Sequence, residues 1–229
     1  MPWAERIDWK TTAGETLLKL FGTLPADRGW AVTLFGSSPL QLVLEPTFTS
    51  ADVDLFPSDW DAPHEAFAEA IVRAGLSQEQ RDEGYVQLCV EGNFRTSPRW
   101  RQRCWTTQVG RVRLTLPHPT DLLIAKLHRL ADKDLAAFRL VIERTGHPTE
   151  EEMREELQAA VDLYRPGFDE EMVGDITSNT RVLWNEVWGK DINVRQEIIA
   201  PARERILRGY APDIARRDFR SELKRLAEE

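Results

Sequence analysis

The spacing of apolar residues changes character partway along the chain. In the first half, apolar stretches are short and punctuated by glycine and proline, which is the pattern of strands alternating with short helices. Ala31 to Phe35 reads as a buried strand, Pro39 to Leu44 as a short helix, Asp52 to Phe56 as a second strand, and Pro63 to Ala74 as an amphipathic helix stopped by Gly75. Tyr85 to Val90 places Val86, Leu88 and Val90 at alternate positions, as a half-buried strand does. Arg103 to Val109 and Arg111 to Leu116 flank Gly110, which supplies the turn of a hairpin.

The period changes near Pro117 to Pro119. From Asp121 onward Leu123, Leu127 and Leu130 recur on one helical face. Thr149 with Glu152 forms a capping box for a helix running to about Tyr164. Further helices are expected over Glu170 to Trp188, Val194 to Arg208 and Asp213 to Ala227, with breaks near Gly189 and at Gly209 to Pro212. Trp184 and Trp188, four apart, read as core packing. The expected class is α+β: a mixed-sheet domain over residues 1–117 and a helical domain over 118–229.

Composition narrows the function. The 229 residues are 30% charged and 41% hydrophobic, and no apolar run approaches the roughly 18 residues of a membrane span. The start of the chain, with Trp3, Glu5 and Asp8, lacks the basic-then-apolar order of a signal peptide, so cytoplasmic residence is expected. Cys89 and Cys104 are too few for a disulfide framework, and Cys89 falls in a strand pattern that buries a free thiol. His64, His118, His128 and His147 lack the spacing of metal ligands. A net charge of -8 argues against general nucleic-acid binding, whose affinity comes largely from phosphate neutralisation.

Against that acidic background the stretch from Gly92 to Thr120 carries six arginines and no acid. Arg99, Arg101 and Arg103 alternate with Trp100 and Gln102, so an extended segment would line up three guanidinium groups on one face, for a nucleotide or an RNA acceptor. The other account is pairing with the acidic helix at Glu150 to Glu156. Asp52 and Asp54 share one strand face while Val53 and Leu55 point to the core, and two adjacent carboxylates suit Mg²⁺, a hard cation with oxygen ligands. Gly36 and Ser37 follow a strand, where a glycine lets backbone N–H groups approach a phosphate. On a continuous helix Lys126, Arg129 and Lys133 form one basic stripe, with Asp134 about 80° round from Lys126.

Phe35-Gly36-Ser37, a short helix, and then Ser50-Ala51-Asp52-Val53-Asp54-Leu55 resemble the signature of the nucleotidyltransferase-fold superfamily, which includes polymerase beta and abortive-infection-type toxins. Pro119-Thr120-Asp121-Leu122-Leu123, followed by Lys126, Arg129, Lys133 and Asp134, is similar to a segment of a bacterial branch of that superfamily. The resemblance covers roughly residues 30 to 140. It implies that Gly36 and Ser37 hold nucleotide phosphates, that Lys126 contacts the triphosphate, that Asp52 and Asp54 bind Mg²⁺, and that Asp134 completes or supports the acidic site; Arg129, on the same basic stripe as Lys126, is a further nucleotide-binding candidate. It implies transfer of NMP from an NTP to a hydroxyl of tRNA, protein or a small molecule, in a toxin-antitoxin or defence setting, or a silent nucleotide-binding member regulating a partner protein. Two departures stand out: the position three after Asp134 is Ala137 where an acid is common, and the third metal carboxylate is not evident, Glu91 being the candidate.

Overall fold

The computed structural model describes residues 6–48, 52–58, 64–80, 84–165 and 174–216, the stretch 209–216 as backbone alone. Five strands form one mixed sheet: β1 (Trp30–Phe35), β2 (Asp52–Pro57), β3 (Tyr85–Leu88), β4 (Trp105–Val109) and β5 (Val112–Leu116), in the order β3-β2-β1-β5-β4. β1 runs antiparallel to β2 and parallel to β5, β2 runs parallel to β3, and β4 closes a hairpin on β5 with Gly110 at positive φ in its turn. β1 is central and buried on both faces, so its side chains sort by parity into two cores.

On one face Trp30, Val32, Leu34, Val53, Leu55, Val86, Leu88, Val112 and Leu114 meet helices α1 (Thr12–Thr23) and α3 (His64–Arg73). α1 had no counterpart among the sequence expectations. It is held by Thr11, whose hydroxyl caps Gly14 N–H, and by the buried Gln41 side chain, which accepts from Ala13 N–H at 2.9 Å. Gln41 lies in α2 (Ser38–Val43), the short helix expected after Ser37.

On the other face Phe35 and Phe56 enter a core built with α5 (Pro119–Lys126), α6 (Asp132–Thr145), α7 (Glu150–Ala159) and α8 (Ile176–Trp188). Trp184 is wholly buried there and packs on Trp188 with ring centroids 4.7 Å apart, and the Thr149–Glu152 capping box starts α7 as expected. A π-helical turn, Arg195–Ile199, leads into α9 (Ala200–Arg216). Among the described residues no helix is long and apolar enough to cross a membrane.

Three elements depart from the sequence expectation. The helix expected from Asp121 onward is broken: α5 ends at Lys126 and Leu130 takes φ 45°, a left-handed conformation that no helix interior accommodates. α9 carries on through Gly209 to Pro212, where a break was expected, although Pro212 has no N–H to give the helix. The strand expected from Arg103 begins at Trp105, and Trp100–Arg103 is a helical turn, α4. The expected helix over Asp213 to Ala227 lies beyond the described residues from 217 on, and the start of the one expected at Glu170 lies in the undescribed 166–173.

Candidate functional site

The carboxylate wall is built by sheet register. Asp54 pairs with Phe35 at the end of β1, so the chain leaving β1 turns directly against its side chain. Gly36 makes that turn at φ 71°, and a Cβ placed there would lie 2.0 Å from Asp54 Oδ2. Glycine is required on both counts, a left-handed backbone and lack of room. Asp52 and Asp54 share the face that carries Phe56, as the two-residue period requires, while Val53 and Leu55 point into the opposite core. Burial and the neighbouring Asp52 charge push the Asp54 carboxyl up to about 6, although Lys126, Lys133 and Arg129 pull the other way.

The cationic wall comes from the broken helix. Lys126, in the last turn of α5 and only 7% exposed, donates from Nζ to Ser37 Oγ at 2.8 Å and to Asp134 Oδ1 at 3.2 Å. Ser37 precedes α2 but makes no side-chain cap, so its hydroxyl serves Lys126 instead. Asp134 is fully buried. Its Oδ2 accepts from Arg129 Nε at 2.9 Å and from the Ala131 N–H at 3.0 Å, and its Oδ1 also accepts from Arg129 Nη2 at 2.9 Å. Burial alone would raise Asp134, but the Arg129 hydrogen bonds and the Lys126 and Arg129 charges outweigh it and hold the carboxyl below its ordinary range. Burial lowers the Lys126 ammonium, with Asp134 opposing. The ammonium has three N–H donors, and among the described residues two of these are used, by Ser37 and Asp134.

The structure therefore gathers Gly36, Ser37, Asp52, Asp54, Lys126, Arg129 and Asp134, with Lys133 close enough to act on Asp54. The basic residues meet there through the reversal at Leu130, rather than along the single helical stripe expected. Asp134 engages both oxygens with Lys126, Arg129 and a backbone N–H, so it faces the cations and supports them.

Glu91 and the arginines stand apart. Glu91, the candidate third metal ligand, forms an ion pair with Arg101 at 2.6 Å. The extended arginine ribbon is replaced by the α4 turn, in which Arg101 stacks on Trp100, Arg99 pairs with Glu156, and Arg103 pairs with Asp121 and Glu156. Pairing with the acidic helix, the alternative drawn from charge pattern, is what Glu156 of α7 provides. Cys89 and Cys104 are free and half-buried, and burial together with the Asp54 and Asp52 charges lifts the Cys89 thiol to about 11.

Sequence reading missed the β3 side of the site. The parallel register sets Tyr85 beside Asp52 and Gln87 beside Asp54, on the same face, and the Gln87 side chain is exposed. Burial raises the Tyr85 hydroxyl, and both aspartates add to the effect. The alternation of Val86 and Leu88 marked these residues as outward facing, but only strand order put them next to the aspartates. Among the described residues no group of three or more His, Cys, Asp or Glu forms a metal cage, so Asp52 and Asp54 are the acidic ligands on offer. They fit a cation held by two carboxylates with its remaining positions left to phosphate and water.

These features define a mixed α/β protein with a five-stranded mixed sheet and a carboxylate–lysine cluster where β1 ends and β2 begins. No family model matches the chain, and no curated protein or solved structure matches it significantly.

Proposed function

We propose that the protein is a Mg²⁺-dependent nucleotidyltransferase that moves NMP from an NTP to an acceptor hydroxyl. The observation that carries this reading is the convergence of two walls: Gly36 against Asp54, and Lys126 bonded to Ser37, the residue after that glycine. Asp52 and Asp54 would hold the cation, whose charge would offset that of the triphosphate and of the leaving group. The backbone N–H groups of the Gly36–Ser37 turn would donate to phosphate oxygens, and the Lys126 ammonium beside Ser37 would donate to another. Arg129, with its side chain 60% exposed, can reach the phosphates from the rim while Asp134 orients it. The acceptor hydroxyl gives up its proton to solvent as its oxygen bonds to the α-phosphorus, the bond from that phosphorus to the bridging oxygen of the β-phosphate breaks, and pyrophosphate leaves. Positioning and fixed charge supply most of the rate.

A second reading is favoured by Gln87, a neutral side chain beside Asp54 where a third carboxylate would complete a two-metal site. In that reading the chain binds nucleotide and regulates a partner protein without turnover. Thermal unfolding with Mg·NTP tests binding, since nucleotide at about 100 times Kd adds about 2.7 kcal/mol. Incubation with α-labelled NTPs, total RNA and lysate tests transfer. Label moving to an acceptor, lost with Asp52→Asn and Asp54→Asn, supports the enzyme; binding without transfer supports the regulator; no binding by any nucleotide rejects both.

A further inference from the structure

The carboxylate and cationic walls of the site belong to different parts of the chain, and one segment touches both. Residues 94–104 leave the sheet after β3 and return to it at β4. Their aromatic side packs on the carboxylate wall: Phe94 lies 5.5 Å from Phe35, which precedes Gly36, and Trp100 lies 6.3 Å from Phe56, two residues after Asp54. Phe94 and Trp100 lie against each other at 5.4 Å, so the segment is a single wedge.

The polar side of the same wedge grips the helices. Arg103 donates from Nε and Nη2 to both oxygens of Asp121, at 3.1 and 2.6 Å, and from Nη1 to Glu156 of α7. Asp121 is 0% exposed, and Thr96 Oγ1 adds a 2.7 Å bond to its carbonyl. Ser97 and Arg99 secure Glu156 at 3.0 and 3.1 Å. Asp121 stands in the first turn of α5 and Lys126 in its last. Five residues of helix separate them, about 7.5 Å along a rigid axis.

We infer that Arg103 is a positioning residue for this site: by holding Asp121 it fixes α5, and through α5 it sets the distance between Lys126 and the Asp52–Asp54 wall. The inference rests on the proposed nucleotide site for its consequence but not for its geometry. A planar fork can bridge two carboxylates at once, which a lysine ammonium on a flexible stem cannot do with the same rigidity. The arginine that sequence reading offered as a ligand contact acts one step behind the ligand.

The test compares wild type, Arg103→Lys and Asp121→Asn, each at a temperature where circular dichroism shows it folded. Competitive acetylation with mass spectrometry reads the reactivity of Lys126 against that of Lys133, with no nucleotide present. Calorimetry reads Mg·ATP affinity in the same proteins and in a Lys126→Ala background. Release of α5 predicts a severalfold rise in Lys126 labelling with Lys133 unchanged, and about tenfold weaker Mg·ATP binding that vanishes as an effect once Lys126 is alanine, because the two sites are coupled. If Arg103→Lys does not fold, Asp121→Asn, which keeps volume and leaves Arg103 paired with Glu156, carries the same measurement. Lys126 labelling unchanged in the folded variants overturns the inference, and so does an affinity loss that persists undiminished in the Lys126→Ala background. Altered Lys126 labelling with no binding of Mg·ATP, Mg·GTP, Mg·CTP or Mg·UTP by wild type rejects the nucleotide site and leaves the positioning role standing.

Discussion

Asp54 is under opposed demands, and its titration exposes them. Its carboxyl sits at about 6 because burial and Asp52 disfavour the charged form, so the stability it contributes is fully present below the ordinary carboxylate range and is lost as pH rises through about 6. In chelator, Asp54→Asn should therefore be more stable than wild type at pH 8, by about 1 to 3 kcal/mol for a shift of this size, and the difference should close by about pH 4. Added Mg²⁺ should raise the melting temperature of wild type and not that of the variant. A constant difference between pH 4 and 8 would mean that Asp54 is not strained by its charge. Gly36→Ala meets both a positive φ and the Asp54 carboxylate. It should cost about 1 to 2 kcal/mol in urea unfolding and abolish the Mg²⁺-dependent shift, because the intruding methyl displaces the carboxylate.

The telling element is the joint between α5 and α6. A continuous helix would have carried Lys126 and Arg129 past Asp134; the reversal at Leu130 folds them back so that Asp134 caps α6 through Ala131 N–H and pairs with both cations. Asp134→Ala removes the carboxylate hydrogen-bonded to buried Lys126, a change expected to cost about 3 kcal/mol in denaturant unfolding. Asp134 is held below its ordinary range, so its contribution is present at neutral pH and is lost as pH falls through the acid range. Asp134→Asn should accordingly flatten the acid limb of the stability profile, and a wild-type slope in that variant would remove the pairing from the account. Most elements were legible beforehand: the Thr149–Glu152 box, the hairpin at Gly110, and the strands beginning at Asp52 and Tyr85 all follow from local chemistry. The break at Leu130 was not. Nothing in Leu127 to Ala131 is glycine or proline, and the local preference for helix yields to burying Lys126 against Asp134 and Ser37.

Across the molecule the sheet is a partition. Residues of one parity meet α1 and α3, residues of the other meet α5 to α8, and β1 is enclosed on both sides. Amide exchange should be slowest in β1 and β5 and faster in β4, an edge strand with alternate residues exposed or half-buried. Equal protection in β4 and β1 would contradict that layering. The helical layer is bound to the sheet layer at both ends of α2, by Ser37–Lys126 at its start and by Glu45–Arg144 just past its end. The second contact is an ion pair with an exposed arginine, so Arg144→Ala should cost far less than losing Asp134.

By itself the sequence determined what is local: the alternation that faces Asp52 and Asp54 to one side, the glycine after β1, the caps, and the amphipathic faces of the helices. Each follows from a few neighbouring residues and the fixed periods of strand and helix. Tertiary structure decided which groups meet. Gln87 stands beside Asp54 only because β3 pairs with β2; Lys126 bonds Ser37 across 89 positions of chain; and Arg103 turns inward because Asp121 and Glu156 are brought to it. Those meetings depend on strand order and on the free energy of burying charge in pairs, which no local pattern encodes.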